Sequence, residues 1–344
     1  MKKRPFFTLA DGCSADLYTL TGANGFAVDI TDWGGALVAI RTPNRDGGLT
    51  DVLLGFADAA EYRANDPFFG ALIGRVANRI ANGRFTLDGK VVQVPVNDSD
   101  NRPNCLHGGE SYGRRKWNVA EAADDRLKLT LVSPDGDAGF PGEVRVEVTY
   151  RIVDGTALEI DYRGTCDAVT VLSMTNHAYF NLNGEGARDC GGHRFRIAAE
   201  RHTEVDSNLS PTGNNPPVAG TPYDLRSGRT FEEILRDIPH GFDDNFVLSD
   251  RDGEMKRNAA EAHSANTGIT LAVDTTAPGI QFYMGFFLNG TITGKRGAKY
   301  FGNSAFCLEA QLWPDAVNHP EFPSARLEPG QEYRQTTIYR FGVK

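Results

Sequence analysis

The segment from Val144 to Arg163 constrains this chain most. Val144, Val146, Val148 and Tyr150 alternate with Arg145, Glu147, Thr149 and Arg151, and Asp154-Gly155 then turns the chain. Beyond the turn, Leu158, Ile160 and Tyr162 alternate with Glu159, Asp161 and Arg163. Successive side chains of a strand point to opposite faces, so a period of two sustained this long specifies a half-buried hairpin. The same pattern predicts strands at Asp16–Thr21, Phe26–Thr31, Ala36–Arg41, Ile269–Asp274, Ile280–Leu288 and Gln335–Phe341. Arg84–Leu87 and Lys90–Val94 flank Asp88-Gly89, a hairpin dipeptide. Helical pattern is confined to a turn or two at Ala59–Arg63 and Phe231–Asp237, and polar Ser249–Gly268 reads as surface loop. There is no βαβ alternation, phosphate loop, heptad, repeat or linker composition. The 344 residues therefore read as a single all-β domain, 1–344, a large antiparallel sandwich or barrel with little helix.

Composition narrows the function classes. A net charge of −9 without a Lys/Arg block argues against a nucleic-acid surface. No run approaches the roughly 20 apolar residues of a membrane span. Cys13, Cys105, Cys166, Cys190 and Cys307 are scattered and odd in number, without a Cys-x-x-Cys pair, which predicts reduced thiols in a cytoplasmic protein.

Two stretches carry candidate chemistry. In Ser304–Pro323, Phe306, Leu308, Ala310 and Leu312 fall on one side of a strand, and Cys307, Glu309 and Gln311 on the other; Pro314 closes it. A carboxylate on a strand whose back is apolar has a rigid support. In Val171–Leu182, Ser173, Thr175, His177, Tyr179 and Asn181 share one face. Hydroxyls, an imidazole, a phenol and an amide offer donors, acceptors and an aromatic body, which suits a sugar. Four shorter motifs add to these. Gly74–Ile80 holds Arg75 and Arg79, one for a ligand and one for a structural ion pair. Asn104–Gly109 sets His107 against two glycines. His240–Phe246 brings Asp243 and Asp244 into a turn, and Ile280–Tyr283 places Gln281 beside aromatics. A metal cluster of His107, His177, His240 and Glu309 is one alternative, disfavoured by the lack of a close His-x-His pair. A non-catalytic sugar-binding module is another, disfavoured by the joint presence of Glu309 and His177, and a site for sugar phosphates is a third, disfavoured by the net charge of −9.

Taken in order, Asn78-Arg79, Leu106-His107-Gly108-Gly109, Thr175-Asn176-His177, Gly241-Phe242-Asp243, Gln281-Phe282-Tyr283 and Leu308-Glu309 through Pro314-Asp315 resemble the aldose 1-epimerases, or galactose mutarotases, over about the whole chain. The resemblance implies a β-supersandwich that interconverts the anomers of free aldoses without metal, nucleotide or other cofactor. It implies Glu309 as general base and His177 as general acid. Asn78, Arg79, His107, Tyr179, Asp243 and Gln281 become substrate contacts. The expected partner is a monosaccharide, and the expected state a monomer or weak homodimer. Phe242, Asp244, Phe286 and Leu312-Trp313 depart from the family pattern and bear on sugar preference.

Anomer exchange opens a hemiacetal: a base takes the anomeric hydroxyl proton while an acid protonates the ring oxygen, and reclosure on the other face reverses both. A free Glu titrates near about 4.3 and a free His near about 6.5. The sequence therefore predicts a negative group, Asp243 or Glu309, that keeps His177 charged. It also predicts a bell-shaped pH profile with Glu309 on the acid limb and His177 on the alkaline limb.

Overall fold

In the computed structural model, residues 1–109 and 112–344 are described, Asp100 in its backbone only. Strands dominate, and the largest sheet has nine of them in the order Asn118–Ala122, Arg126–Ser133, Val144–Val153, Ala157–Cys166, Tyr333–Val343, Ile269–Thr275, Lys256–Ser264, His193–Ile197 and Arg229–Thr230. All its pairings are antiparallel. The predicted hairpin forms its third and fourth strands, with Val144 through Val153 in continuous register with Cys166 back to Ala157. A five-stranded sheet is formed in chain order by residues from Lys2–Thr8 to Leu49–Asp51. Phe231–Asp237 is an α-helix closed by a Thr230–Glu233 capping box, and Ala59–Arg63 is a short 3-10 turn.

A four-stranded sheet, Arg201–His202, Asp243–Val247, Gly279–Tyr283 and Cys307–Gln311, carries the candidate acidic residues. Its back is pressed onto the nine-stranded sheet. Phe246, Ile280, Phe282 and Leu308 share one core with Phe195, Leu271, Val273 and Tyr339, and the Phe195 and Phe282 rings lie 5.1 Å apart. Polar pins reinforce this contact. Tyr339 Oη donates to the Leu308 carbonyl (3.2 Å) and Gln335 Nε2 to the Ala310 carbonyl (3.0 Å). The strand that holds Glu309 is thus fixed from behind by both packing and hydrogen bonds.

Three predicted elements differ, and of these the strand expected over Ile280–Leu288 stops at Tyr283. Ser249–Gly268 is not all surface loop, because Lys256–Ser264 is a strand of the large sheet. Its alanines and charges hide a strand pattern that a bulged register interrupts as well. Val171–Leu182 is not one strand. It is extended chain that changes partners: Ser173 bridges Val76, Thr175 pairs with Ile73, and Phe180 bridges both Leu53 and Phe306. The alternation survives because the backbone stays extended while the ladder is shared.

Leu308 is 2% exposed and separates Cys307 from Glu309 on the opposite face. Leu308→Ala is expected to destabilise the fold by about 2–5 kcal/mol, read as a lower urea midpoint at unchanged slope. A loss below about 0.5 kcal/mol would contradict the packing described for the back of this strand.

Candidate active site

Alternation on the short sheet sends Asp243, Gln281, Tyr283, Cys307 and Glu309 to the face away from the core. Cross-strand register aligns them in rows: Asp243 opposite Tyr283, Tyr283 opposite Cys307, and Gln281 opposite Glu309. That face forms one wall of a cavity of about 530 Å³ lined also by Asn78, Arg79, His107, His177 and Tyr179.

The opposite wall comes from the 66–80 segment and the loop after Leu106. Arg79 pairs with Leu106 and Ile80 with Cys105 in a two-residue ladder. Asn78 and His107 then interlock, because His107 N–H donates to the Asn78 carbonyl (2.8 Å) and Asn78 N–H donates to His107 Nδ1 (3.2 Å). Both residues have positive φ, 60° and 54°, as does Phe68 at 61°. Left-handed backbone at non-glycine residues persists only where the surroundings over-determine it, and such residues cluster at sites. His107 Nδ1 is an acceptor here, so the neutral ring carries its proton on Nε2 and presents a donor. Burial keeps that ring neutral, pushing His107 well below the usual imidazole range, with the His177 and Arg79 neighbours adding to the effect.

His177 Nε2 lies 3.6 Å from Glu309 Oε2, and both side chains are buried. Tyr179 and Phe68 stack on the His177 ring at 5.0 and 6.1 Å between centroids, and His107 stands edge-on at 5.1 Å. Glu309 Oε2 has no hydrogen-bond partner among the described residues. Desolvation disfavours whichever form is charged. It pushes His177 down to about 3, its own backbone carbonyl opposing. Glu309 moves the other way, raised well above the usual carboxylate range by burial and then by the Asp243 charge, with Arg79 opposing. The expected negative neighbour of His177 is present, but burial outweighs it. In the free site the pair therefore holds one proton, on Glu309, beside a neutral His177.

Arg79 is held by a residue that nothing in the sequence singled out. Its Nε donates to Asp98 Oδ2 (2.8 Å), and the Asp98 side chain is wholly buried. Arg102 Nε, Asn104 Nδ2 and Ser99 N–H donate to the same carboxylate. Burial alone would raise Asp98, but the Arg102 hydrogen bond and Arg79 charge win and hold it below its usual range. Arg79 Nη1 then sits 3.6 Å from Asp243 Oδ2, and Gln281 Nε2 donates to Asp243 Oδ1 (2.8 Å). Gln281 is not among the cavity-lining residues. It anchors Asp243 through that hydrogen bond, while its own Oε1 has no hydrogen-bond partner among the described residues. Arg75 is the structural arginine of the two, 1% exposed and bonded to Ser133, Pro134, Pro141 and Thr170.

His107, His177 and Glu309 bring one ligating atom each within 4.8 Å of one another, whereas His240 packs on Phe286 instead. With its Nδ1 occupied by the Asn78 N–H, His107 turns an N–H and no lone pair toward the other two, which suits a hydroxyl rather than a cation. The residues that depart from the family pattern stay off the lining. Phe242 is core, Asp244 accepts from the Asp243 N–H, Phe286 packs on Tyr283, and Trp313 donates to the Pro278 carbonyl. Leu312 joins the cluster around Val76.

The comparisons with known proteins bear on the family and the fold. The sequence model described as aldose 1-epimerase matches residues 16–340. Galactose mutarotase of Rattus norvegicus is 45% identical over 318 residues, covering 92% of this chain and 91% of the relative. Aldose 1-epimerase of Escherichia coli K12 is 39% identical over 340 residues, 96% of each. Among solved structures, an aldose epimerase homologue from C. elegans superposes with a TM-score of 0.87 at 31% identity, covering 95% of this chain and 98% of that one. Fold, site and sequence converge, and the chain belongs to the aldose 1-epimerase family.

Proposed function

We propose that this enzyme interconverts the α and β anomers of free aldoses such as galactose and glucose, with Glu309 as general base and His177 as general acid. The observation that carries the assignment is the buried pair, His177 Nε2 3.6 Å from Glu309 Oε2 on the cavity wall. Ring opening needs one group to take a proton from the anomeric hydroxyl and another to give one to the ring oxygen. Starting from a Glu309 carboxylate and a His177 imidazolium, those two transfers leave Glu309 protonated and His177 neutral. That product state is the one burial favours in the free site. The pair therefore alternates between its two one-proton arrangements, opening the ring in one direction and closing it in the other. Its surroundings favour the arrangement that accompanies the open aldehyde. Sugar hydroxyls that hydrogen-bond to the carboxylate stabilise the charged arrangement in the bound state.

The remaining lining residues suit binding. Asn78, Arg79 and His107 offer donors, Asp243 accepts, and Tyr179, kept a phenol by burial, presents an apolar face with a hydroxyl. The chemistry consumes neither water nor a cofactor, so no metal or nucleotide is required. We read residues 1–344 as a single domain, a monomer or weak homodimer acting in the cytoplasm. The five cysteines, all free, suit a reducing compartment. The charge of −9 and the lack, among the described residues, of any helix long and apolar enough to cross a membrane are in keeping with a small-molecule partner.

Glu309→Gln and His177→Asn are each expected to lower kcat for mutarotation about 10²–10⁴-fold, measured by polarimetry on freshly dissolved α-glucose and α-galactose. The double variant should lose less than the product, since the two act as a unit. Folded Glu309→Gln enzyme within about tenfold of wild type would refute its role as base.

Asp98→Asn loosens Arg79 without altering the cavity lining. KM should rise about tenfold, the scale of one charged hydrogen bond, with kcat within about threefold. A drop in kcat at unchanged KM would move this arginine network from binding to the reacting groups.

A further inference from the structure

Two side chains of one strand meet the two nitrogens of one imidazole. Cys307 and Glu309, two residues apart, point to the same face of Cys307–Gln311. Glu309 Oε2 faces His177 Nε2 at 3.6 Å, and Cys307 Sγ faces His177 Nδ1, also at 3.6 Å. From this geometry we propose that Cys307 is a positioning residue whose thiol sulfur accepts the His177 Nδ1–H and so reserves Nε2 for proton exchange with the substrate.

The inference rests on the acid role given to His177 above, and the proton count supports it. When the imidazolium gives its Nε2 proton to the ring oxygen, the neutral ring left behind is the Nδ1–H tautomer, with its lone pair on Nε2. Only that tautomer takes the same proton back as the ring recloses. The alternative tautomer turns its lone pair toward Cys307 and away from the substrate. A thiol suits the task better than a carboxylate. A carboxylate at Nδ1 would raise the basicity of the ring and oppose proton release, whereas sulfur is a weak neutral acceptor. Cys307 is fully buried, and burial, together with the charges of Glu309 and Asp243, keeps its thiol protonated. The His177 backbone carbonyl also acts on the ring as an acceptor, and the remaining neighbours meet it as rings or act on Glu309. Tyr179 and Phe68 meet its face, His107 and Tyr283 stand at steep angles to it, and Arg79 and Asp243 act on Glu309.

The test is the 15N NMR signature of His177 at pH 7, read in substrate-free wild type, Cys307→Ser and Cys307→Ala, together with kcat and KM. Wild type is expected in the Nδ1–H form. The serine hydroxyl retains an acceptor, so Cys307→Ser should keep that tautomer. Cys307→Ala should show a mixture, with kcat lower by about three- to tenfold, the range of one neutral hydrogen bond, and KM unchanged. An alanine variant with both the wild-type tautomer and the wild-type kcat overturns the proposal. So does a serine variant in the Nε2–H form, a result that stands even where the alanine variant does not fold. Because the tautomer is read without substrate, its failure is distinct from failure of the acid assignment, which would appear as activity retained in His177→Asn.

Discussion

Desolvation of one acid–base pair governs this site. Glu309 and His177 sit side by side on a wall from which water is largely removed, and removing water penalises charge on either group. Opposite charges 3.6 Å apart attract, but the burial term is the larger for both residues. The outcome is a pair that stores one proton in neutral form, with its charged arrangement accessible through a single transfer. The anomer exchange proposed above uses a pair of this kind, each group acting as acid in one direction and as base in the other.

Everything around the pair limits where that proton goes. The back of the Glu309 strand is fixed to the large sheet by Leu308 packing and by Tyr339 and Gln335 hydrogen bonds. His177 is stacked by Tyr179 and Phe68, and the His107 proton is placed by the Asn78 backbone. Asp98 holds Arg79, and Gln281 holds Asp243. The groups proposed to meet the sugar are thus each held in place by neighbouring side chains or backbone, as preorganisation demands.

Much of this was legible in the sequence where the signal was local. The alternation of Phe306–Leu312 predicted which face carries Glu309, and the pattern at 144–163 predicted a hairpin that the large sheet contains. The 171–182 alternation placed His177 and Tyr179 on one face, although the ladder there is shared among several partners. What was hidden depends on long-range contact. Asp98 lies in a polar segment, Asp98-Ser99-Asp100-Asn101, that looks like any turn, and its role exists only once the fold brings Arg79 to it. Gln281 was legible by strand and face, but its hydrogen bond to Asp243 exists only once its strand pairs with Asp243–Val247. The protonation of the pair was read in reverse, since free-residue pKa values omit the burial that only tertiary structure reveals.

The pH dependence of kcat/KM tests the central claim most directly, because it reports protonation of the free enzyme. The limbs belong to the pair as macroscopic values, and the active state carries one proton on it. His177 gains a second proton only near pH about 3, so below that value activity is lost. Above the raised Glu309 pKa the pair loses its proton and activity falls again. The expected profile runs through about 4.3, the value of a free Glu, without inflection, and its alkaline limb follows Glu309. An acid limb near about 4.3 with an alkaline limb near about 6.5 that follows His177 would contradict it, and would mean that the pair rests as carboxylate and imidazolium.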